Sequence, residues 1–409
     1  PPVAPPVAPP VAPPVAPPVA PPVAPPVAPP VTRRPGPITA KPKTRKPSAV
    51  PDDLICTLGA YAVIPAMYPP DGLCNYLFYT HVIVFNKTEL AGVEVNASWT
   101  LFKKQIAART KTAGGASFDA KYVTAQAFDD QGLKKHLAKL ASANVKNYGI
   151  LNMVTSVKNW DDFMNRARGT IAKLKAIQGN DSKRKIVMAI GLFDYNEPNA
   201  WDKYRKGFQD AVESTMADTV IAISSMSMVE TSETCYATPS SVLDSSRLQD
   251  PARTIAKSYP DLKTHAALIS TNTMYNKNGT RLGLSFEMGT LYYKLNETTD
   301  SLENRPYHPC ERFYLTSIDV VDCIGGLYDI ELLPGGMKFG SPFVGPDVVV
   351  TWEDEESLKY KFYGLQNSTN LREGLSWLLY DVNFGDFSKN CNDNPFTPIE
   401  IMKKFASRR

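Results

Sequence analysis

From Asp52 onward, short apolar runs alternate with amphipathic stretches, and this alternation leaves few architectures open. Eight runs read as strands: "LICTLGAY" around Cys56, "THVIVF" at 80–85, "NYGILNMVTS" at 147–156, "RKIVMAIG" at 184–191, "DTVIAIS" at 218–224, "THAALIS" at 264–270, "RLGLSFEMG" at 281–289 and "GLSWLLYDV" at 374–382. Between them lie helix candidates such as "WDDFMNRARGTIAKLKAI", in which Phe163, Ala167, Ile171 and Leu174 fall three or four apart and form one apolar face. Apolar strands alternating with helices are what a parallel sheet covered by helices requires. The predicted fold is α/β, a single (β/α)8 TIM barrel over 52–400, with a small insertion at 291–351 before the last strand and a basic C-terminal tail at 401–409.

The N-terminal part cannot contribute to that core. Residues 1–31 are PPVA repeated seven times followed by PPV. Proline fixes its own φ and drives the preceding residue toward extended backbone, so the repeat predicts a polyproline rod, about 95 Å long at roughly 3.1 Å per residue. Its PxxP spacing also fits SH3 ligands, a weaker reading than a tether. The linker at 32–51 carries Arg33, Arg34, Lys41, Lys43, Arg45 and Lys46 and no acid; subtracting these six from the formal net charge of +4 leaves 52–409 near −2. The basic balance therefore belongs to a disordered tether, as a solvated linker or a patch for anionic glycans or membrane surfaces.

Six cysteines, Cys56, Cys74, Cys235, Cys310, Cys323 and Cys391, form no CxxC or Cys/His pattern. Disulfides are the better reading than zinc, and with six N-x-S/T sequons, at Asn86, Asn96, Asn180, Asn278, Asn296 and Asn367, they predict a secreted, extracellular glycoprotein. No apolar run reaches the roughly 18 residues of a membrane span. The chain begins with Pro, which suggests a mature form or a fragment. Four scattered histidines predict no metal site. The absence of GxSxG, P-loop and GxGxxG patterns predicts no cofactor, and the tether's lysines are not interleaved with aromatics, so no nucleic acid is expected as partner.

The order and texture of the strands resemble glycoside hydrolase family 18, the chitinases and chitinase-like lectins, and in particular divergent arachnid secreted members. "ICTLGAYAVIPAMYPPDGLCNYLFYTHVIVF" resembles that family's first strand, loop and second strand, with a Cys on the first strand and another before a Thr-His pair. "VMAIG" resembles its third strand, and "TWEDEESLKYKFYGL" and "EGLSWLLYDVNFGDFSKNC" resemble its C-terminal segments. The resemblance implies the pairs Cys56–Cys74 and Cys323–Cys391, which leaves Cys235 with Cys310.

It also implies a catalytic signature, DxxDxDxE on the fourth strand, whose Glu protonates the glycosidic oxygen. Laid on "DTVIAISS", the four acidic positions read Asp218, Ile221, Ile223 and Ser225. Two Ile and a Ser on one strand face cannot supply a proton near neutral pH. The expectation is a pseudoenzyme without hydrolase activity that binds carbohydrate or an extracellular protein, with Trp377 as the sugar-stacking residue. An alternative register, "GLFDYNE", makes Glu197 the acid, although it reads as a loop near Pro198; Glu287 reads as a buried structural carboxylate. A third reading has the Pro-rich repeat adhering to matrix while the barrel is a scaffold. Tyr292 and Tyr293 lie where the chain enters the insertion, with no role assigned.

Overall fold

The computed structural model describes residues 51–407, apart from 226–234, 249–258, 297–306, 318–326, 343–346, 391–393 and scattered single or paired positions. Eight parallel strands close into a ring: β1 (Asp53–Leu58), β2 (Tyr76–Phe85), β4 (Ala113–Phe118), β5 (Val145–Thr155), β6 (Ile186–Leu192), β7 (Thr219–Ala222), β8 (Arg281–Glu287) and β14 (Ser376–Tyr380), which pairs with β1. β3 (Glu89–Gly92) lies outside the ring, antiparallel to β2. This is the single (β/α)8 barrel that the alternation predicts.

Helices α1 (Asn96–Ala107), α2 (Gln131–Ser142), α3 (Trp160–Gln178), α4 (Ala200–Ser214), α5 (Leu262–Thr273), α6 (Glu355–Ser368) and α7 (Thr397–Ala406) pack their apolar faces outside the strands. In α3 the stripe Phe163, Ala167, Ile171 and Leu174 is buried, as its spacing requires. Between β8 and β14 the chain builds a five-stranded antiparallel sheet from β9 (Thr290–Leu295), β10 (Cys310–Thr316), β11 (Leu327–Leu333), β12 (Met337–Pro342) and β13 (Val348–Thr351), in the order β10-β9-β13-β12-β11.

Three elements differ from expectation. The run at 264–270 is the middle of α5, where His265, Leu268, Ile269 and Asn272 are buried at helical spacing. The third ring strand is instead "AGGASF", whose glycines hide it from β-propensity. They are needed there because a Cβ on Gly115 would lie 2.6 Å from the Phe78 ring and one on Gly114 would lie 2.7 Å from the Asn144 carbonyl. Residues 401–406, expected in a basic tail, complete α7, with Ile401, Met402 and Phe405 buried while Lys404 stays outside.

Disulfides join Cys56 to Cys74 and Cys235 to Cys310, as expected. The first ties β1 to the loop before β2, and the second ties the segment after β7 to the first residue of β10. Cys323 and Cys391 lie outside the described residues, as do Asn180 and Asn278. Asn86, Asn96, Asn296 and Asn367 are exposed. No helix among the described residues is long and apolar enough to cross a membrane.

Candidate binding site at the barrel mouth

The ring order changes where the expected catalytic positions stand. "DTVIAIS" supplies the sixth strand of the ring, not the fourth, and "VMAIG" lies on the fifth, not the third. One place of this shift arises because the third ring strand is glycine-rich, so that the run at 147–156 forms the fourth; the other lies in the resemblance itself, since "VMAIG" and "DTVIAIS" belong to the fourth and fifth of the eight apolar runs. That fourth strand, Val145–Thr155, reads VKNYGILNMVT and contains no Asp or Glu.

The former candidates have other work. Ile221 and Ile223 point into the bore, in a cluster with Ile55, Phe78, Leu151 and Leu378. Ser225 is buried and bonded to Ser285 of β8, 3.0 Å between hydroxyls; Ser285 Oγ also accepts from the backbone N–H of Ser224 and Ser225. Asp218 sits at the opposite, N-terminal end of β7, where it accepts from Lys175 Nζ (2.7 Å), Gln178 Nε2 (3.0 Å) and the Ile186 N–H (2.8 Å). It fastens α3 to β6.

Glu197 is exposed in the loop between β6 and α4. Glu287 ends β8 fully buried, its Oε1 accepting from the Gly289 N–H at 2.9 Å. Trp377 must be reassigned: it is 0% exposed, packs against Phe286 and Phe362, and donates Nε1–H to Asp52 Oδ2 at 2.9 Å. Neighbours on a strand alternate sides, so Trp377 faces the helices while Leu378 and Tyr380 face the bore. No sugar can reach it.

A cleft of about 640 Å³ does open where barrel enzymes place their sites, at the C-terminal ends of the strands. It lies over β1, β2, β4 and β14 and is flanked by β10 of the inserted sheet. Its floor is Tyr380, whose hydroxyl donates across the bore to the Leu151 carbonyl at 2.5 Å. Burial, and secondarily the Glu287 carboxylate, raises the Tyr380 hydroxyl far above its ordinary range, so it serves as a neutral donor.

Aromatic rings stand at the rim. Tyr61 is 61% exposed with its ring centroid 5.9 Å from that of Phe384, and Tyr314 is 45% exposed and stacked at 4.7 Å on Tyr292. Tyr293, next in the chain, is buried and bonded to Thr238, so of this pair Tyr292 supports the rim and Tyr293 the inserted sheet. Glu94, Asp119, Asp381 and His81 complete the lining used below.

His81 Nδ1 is 3.1 Å from Ser117 Oγ, which accepts the Leu151 N–H at 2.9 Å. Burial pushes the imidazole down to about 4, outweighing the upward pull of Asp119, so His81 is neutral at ordinary pH. Among the described residues no group of three or more His, Cys, Asp and Glu could hold a metal ion.

Composition runs did not mark Tyr61, Asp119, Tyr314 or Phe384. What they share is position: Tyr61, Asp119 and Phe384 lie within four residues after a ring strand, and Tyr314 lies on the strand beside the mouth. Given the correct ring, the rule that barrel sites form from the loops after the strands finds the first three.

No known protein-family model matches the sequence, and no curated protein matches it. Solved structures share its fold. An immunomodulatory active chitinase from Trichuris suis superposes with a TM-score of 0.59 at 12% identity, covering 87% of this chain and 99% of that one. The human pseudo-chitinase YKL-39, described as retaining chitooligosaccharide binding, gives 0.56 at 12% identity over 87% and 99%. A chitinase from Rhizomucor miehei gives 0.57 at 12% identity over 88% and 100%. The fold is thus that of chitinases and chitinase-like proteins, active and inactive alike.

Proposed function

We propose that this chain is a secreted, chitinase-like glycan-binding protein that does not hydrolyse its ligand. The observation that carries the reading is the fourth strand: Val145–Thr155 holds no carboxylate, and its Leu151 carbonyl is occupied by the Tyr380 hydroxyl where the bore meets the cleft. Glycosidic cleavage needs a carboxylic acid beside the scissile oxygen and a second group for the developing cation. Glu287 is sealed from the cleft, and Glu197 is not among its described lining residues.

Binding needs less. The open faces of Tyr61 and Tyr314 can take the apolar faces of sugar rings, while Asn383, Asp119 and Glu94 offer polar contacts. The fold shared with a pseudo-chitinase that binds chitooligosaccharides supports the reading, as do two disulfides and four exposed sequons for an extracellular setting.

The test joins calorimetric titration with chito-oligosaccharides of mixed acetylation to a fluorogenic hydrolysis assay. Binding without turnover is expected, with affinity falling about tenfold or more in Tyr61→Ala, an exposed position whose loss leaves folding intact. Turnover abolished by Glu197→Gln would overturn it.

A further inference from the structure

The charge of the mouth cleft deepens the glycan reading and rests on it. Three carboxylates, Glu94, Asp119 and Asp381, line the cleft, and its described lining contains no Lys or Arg. Glu94 is exposed. Asp119 Oδ1 accepts from the Lys121 N–H at 2.8 Å, which fixes the carboxylate and leaves Oδ2 without a hydrogen bond among the described residues. Asp381 stands directly after β14, its own N–H given to Thr57 Oγ1.

His81, the one basic side chain of this lining, does not offset these charges. Ser117 Oγ, which accepts the Leu151 N–H, also shares a hydrogen bond with His81 Nδ1 and holds the ring in place. Burial keeps that imidazole neutral. Among its described residues the cleft lining combines aromatic faces with net negative charge. An N-acetylated sugar, which is neutral, gains from the rings and from hydrogen bonds to the carboxylates but carries no charge for them to attract.

We propose that the preferred ligand is a deacetylated chito-oligosaccharide, its ring faces on Tyr61, Phe384 and Tyr314 and its glucosamine ammonium groups held by Glu94 and Asp119. Ammonium groups beside aromatic rings gain a further attraction, and opposite charges at a partly shielded mouth attract more strongly than in bulk water.

The experiment titrates the full chain with glucosamine hexamer and with N-acetylglucosamine hexamer, at about pH 6 where the sugar amines are protonated. The glucosamine hexamer is expected to bind about tenfold tighter or more at low salt and to lose most of that margin at roughly 0.3 M salt, while the acetylated hexamer is salt-insensitive. Glu94→Gln and Asp119→Asn, which keep size and an acceptor oxygen, should each cut glucosamine-hexamer affinity about fivefold and leave the acetylated hexamer within about twofold. Equal or tighter binding of the acetylated hexamer overturns the proposal while leaving the glycan reading intact. A glucosamine preference that persists in the double variant overturns the assignment of these carboxylates. Failure of both hexamers to bind, with an unchanged thermal midpoint, overturns the glycan reading and this proposal together.

Discussion

Tyr380, the last residue of the eighth ring strand, gives its hydroxyl proton to the carbonyl of Leu151 on the fourth strand, 2.5 Å away across the bore. Both residues are buried, and both belong to the apolar cluster that fills the barrel. Tyr380→Phe keeps the ring and strands a buried backbone acceptor. Destabilisation of about 1–2 kcal/mol is expected in urea unfolding, with no gain of hydrolysis. An unchanged unfolding midpoint would mean that the bond contributes nothing to closing the bore.

Restoring a carboxylate on the sixth strand should not restore chemistry. Ser225 is held in a buried cluster with Ser224 and Ser285, where one hydroxyl oxygen already receives two backbone N–H groups. Ser225→Glu puts a larger, charged group into this clasp. A loss of about 3 kcal/mol or more is expected, with no activity on a fluorogenic chito-oligosaccharide. Turnover by a stably folded Ser225→Glu protein would show that only this acid is missing.

The barrel itself was legible because most ring strands are buried on both faces and therefore read as continuous apolar runs. The ring's numbering was not. "AGGASF" has too little side chain to register as a strand, and "THAALIS" has enough apolar residues in seven positions to pass for one. These two errors kept the total at eight; the missed "AGGASF" moves "DTVIAIS" from the fifth apolar run to the sixth ring strand, and laying a fourth-strand signature on that fifth run adds the other place. Trp377 misled for a related reason: on a strand buried on both sides, sequence does not say which face an aromatic occupies, and Asp52, 325 residues away, captures its N–H. Cys56–Cys74 and Cys235–Cys310 came out as the resemblance and the remaining pair implied, because they depend on chain order more than on ring register.

The two described disulfides should differ in their contribution to stability. Cys235–Cys310 spans a sequence separation of 75 and Cys56–Cys74 one of 18. In the chain-entropy account, removing them by paired Cys→Ser substitution costs about 4.5 and about 3 kcal/mol respectively, because the longer loop gives the unfolded chain more freedom. Denaturant unfolding of the two double variants measures the difference. A smaller loss at Cys235 and Cys310 would point to structure persisting in the unfolded state there, where Tyr236 and Pro309 also form a backbone bridge.

Acid stability should depend on Asp71. Burial works to raise its carboxyl, but the N–H groups of Thr110, Thr112 and Lys111 and the Thr110 hydroxyl outweigh that and hold it at about 2, against an ordinary 3.8. A carboxyl whose folded-state value is depressed stabilises the fold above the unfolded value and loses that contribution as pH falls through the folded one. The window is therefore about pH 4 down to about pH 2. Within it the wild-type protein should lose more stability than Asp71→Asn, whose amide accepts through one oxygen and does not titrate. Because Asp71 is exposed, its contribution is screened, and the difference between the two proteins should shrink in high salt. Parallel urea unfolding curves at intervals across this window provide the measurement. Identical slopes against pH for the two proteins would show that the Asp71 clamp on the loop before β4 adds nothing to the folded state.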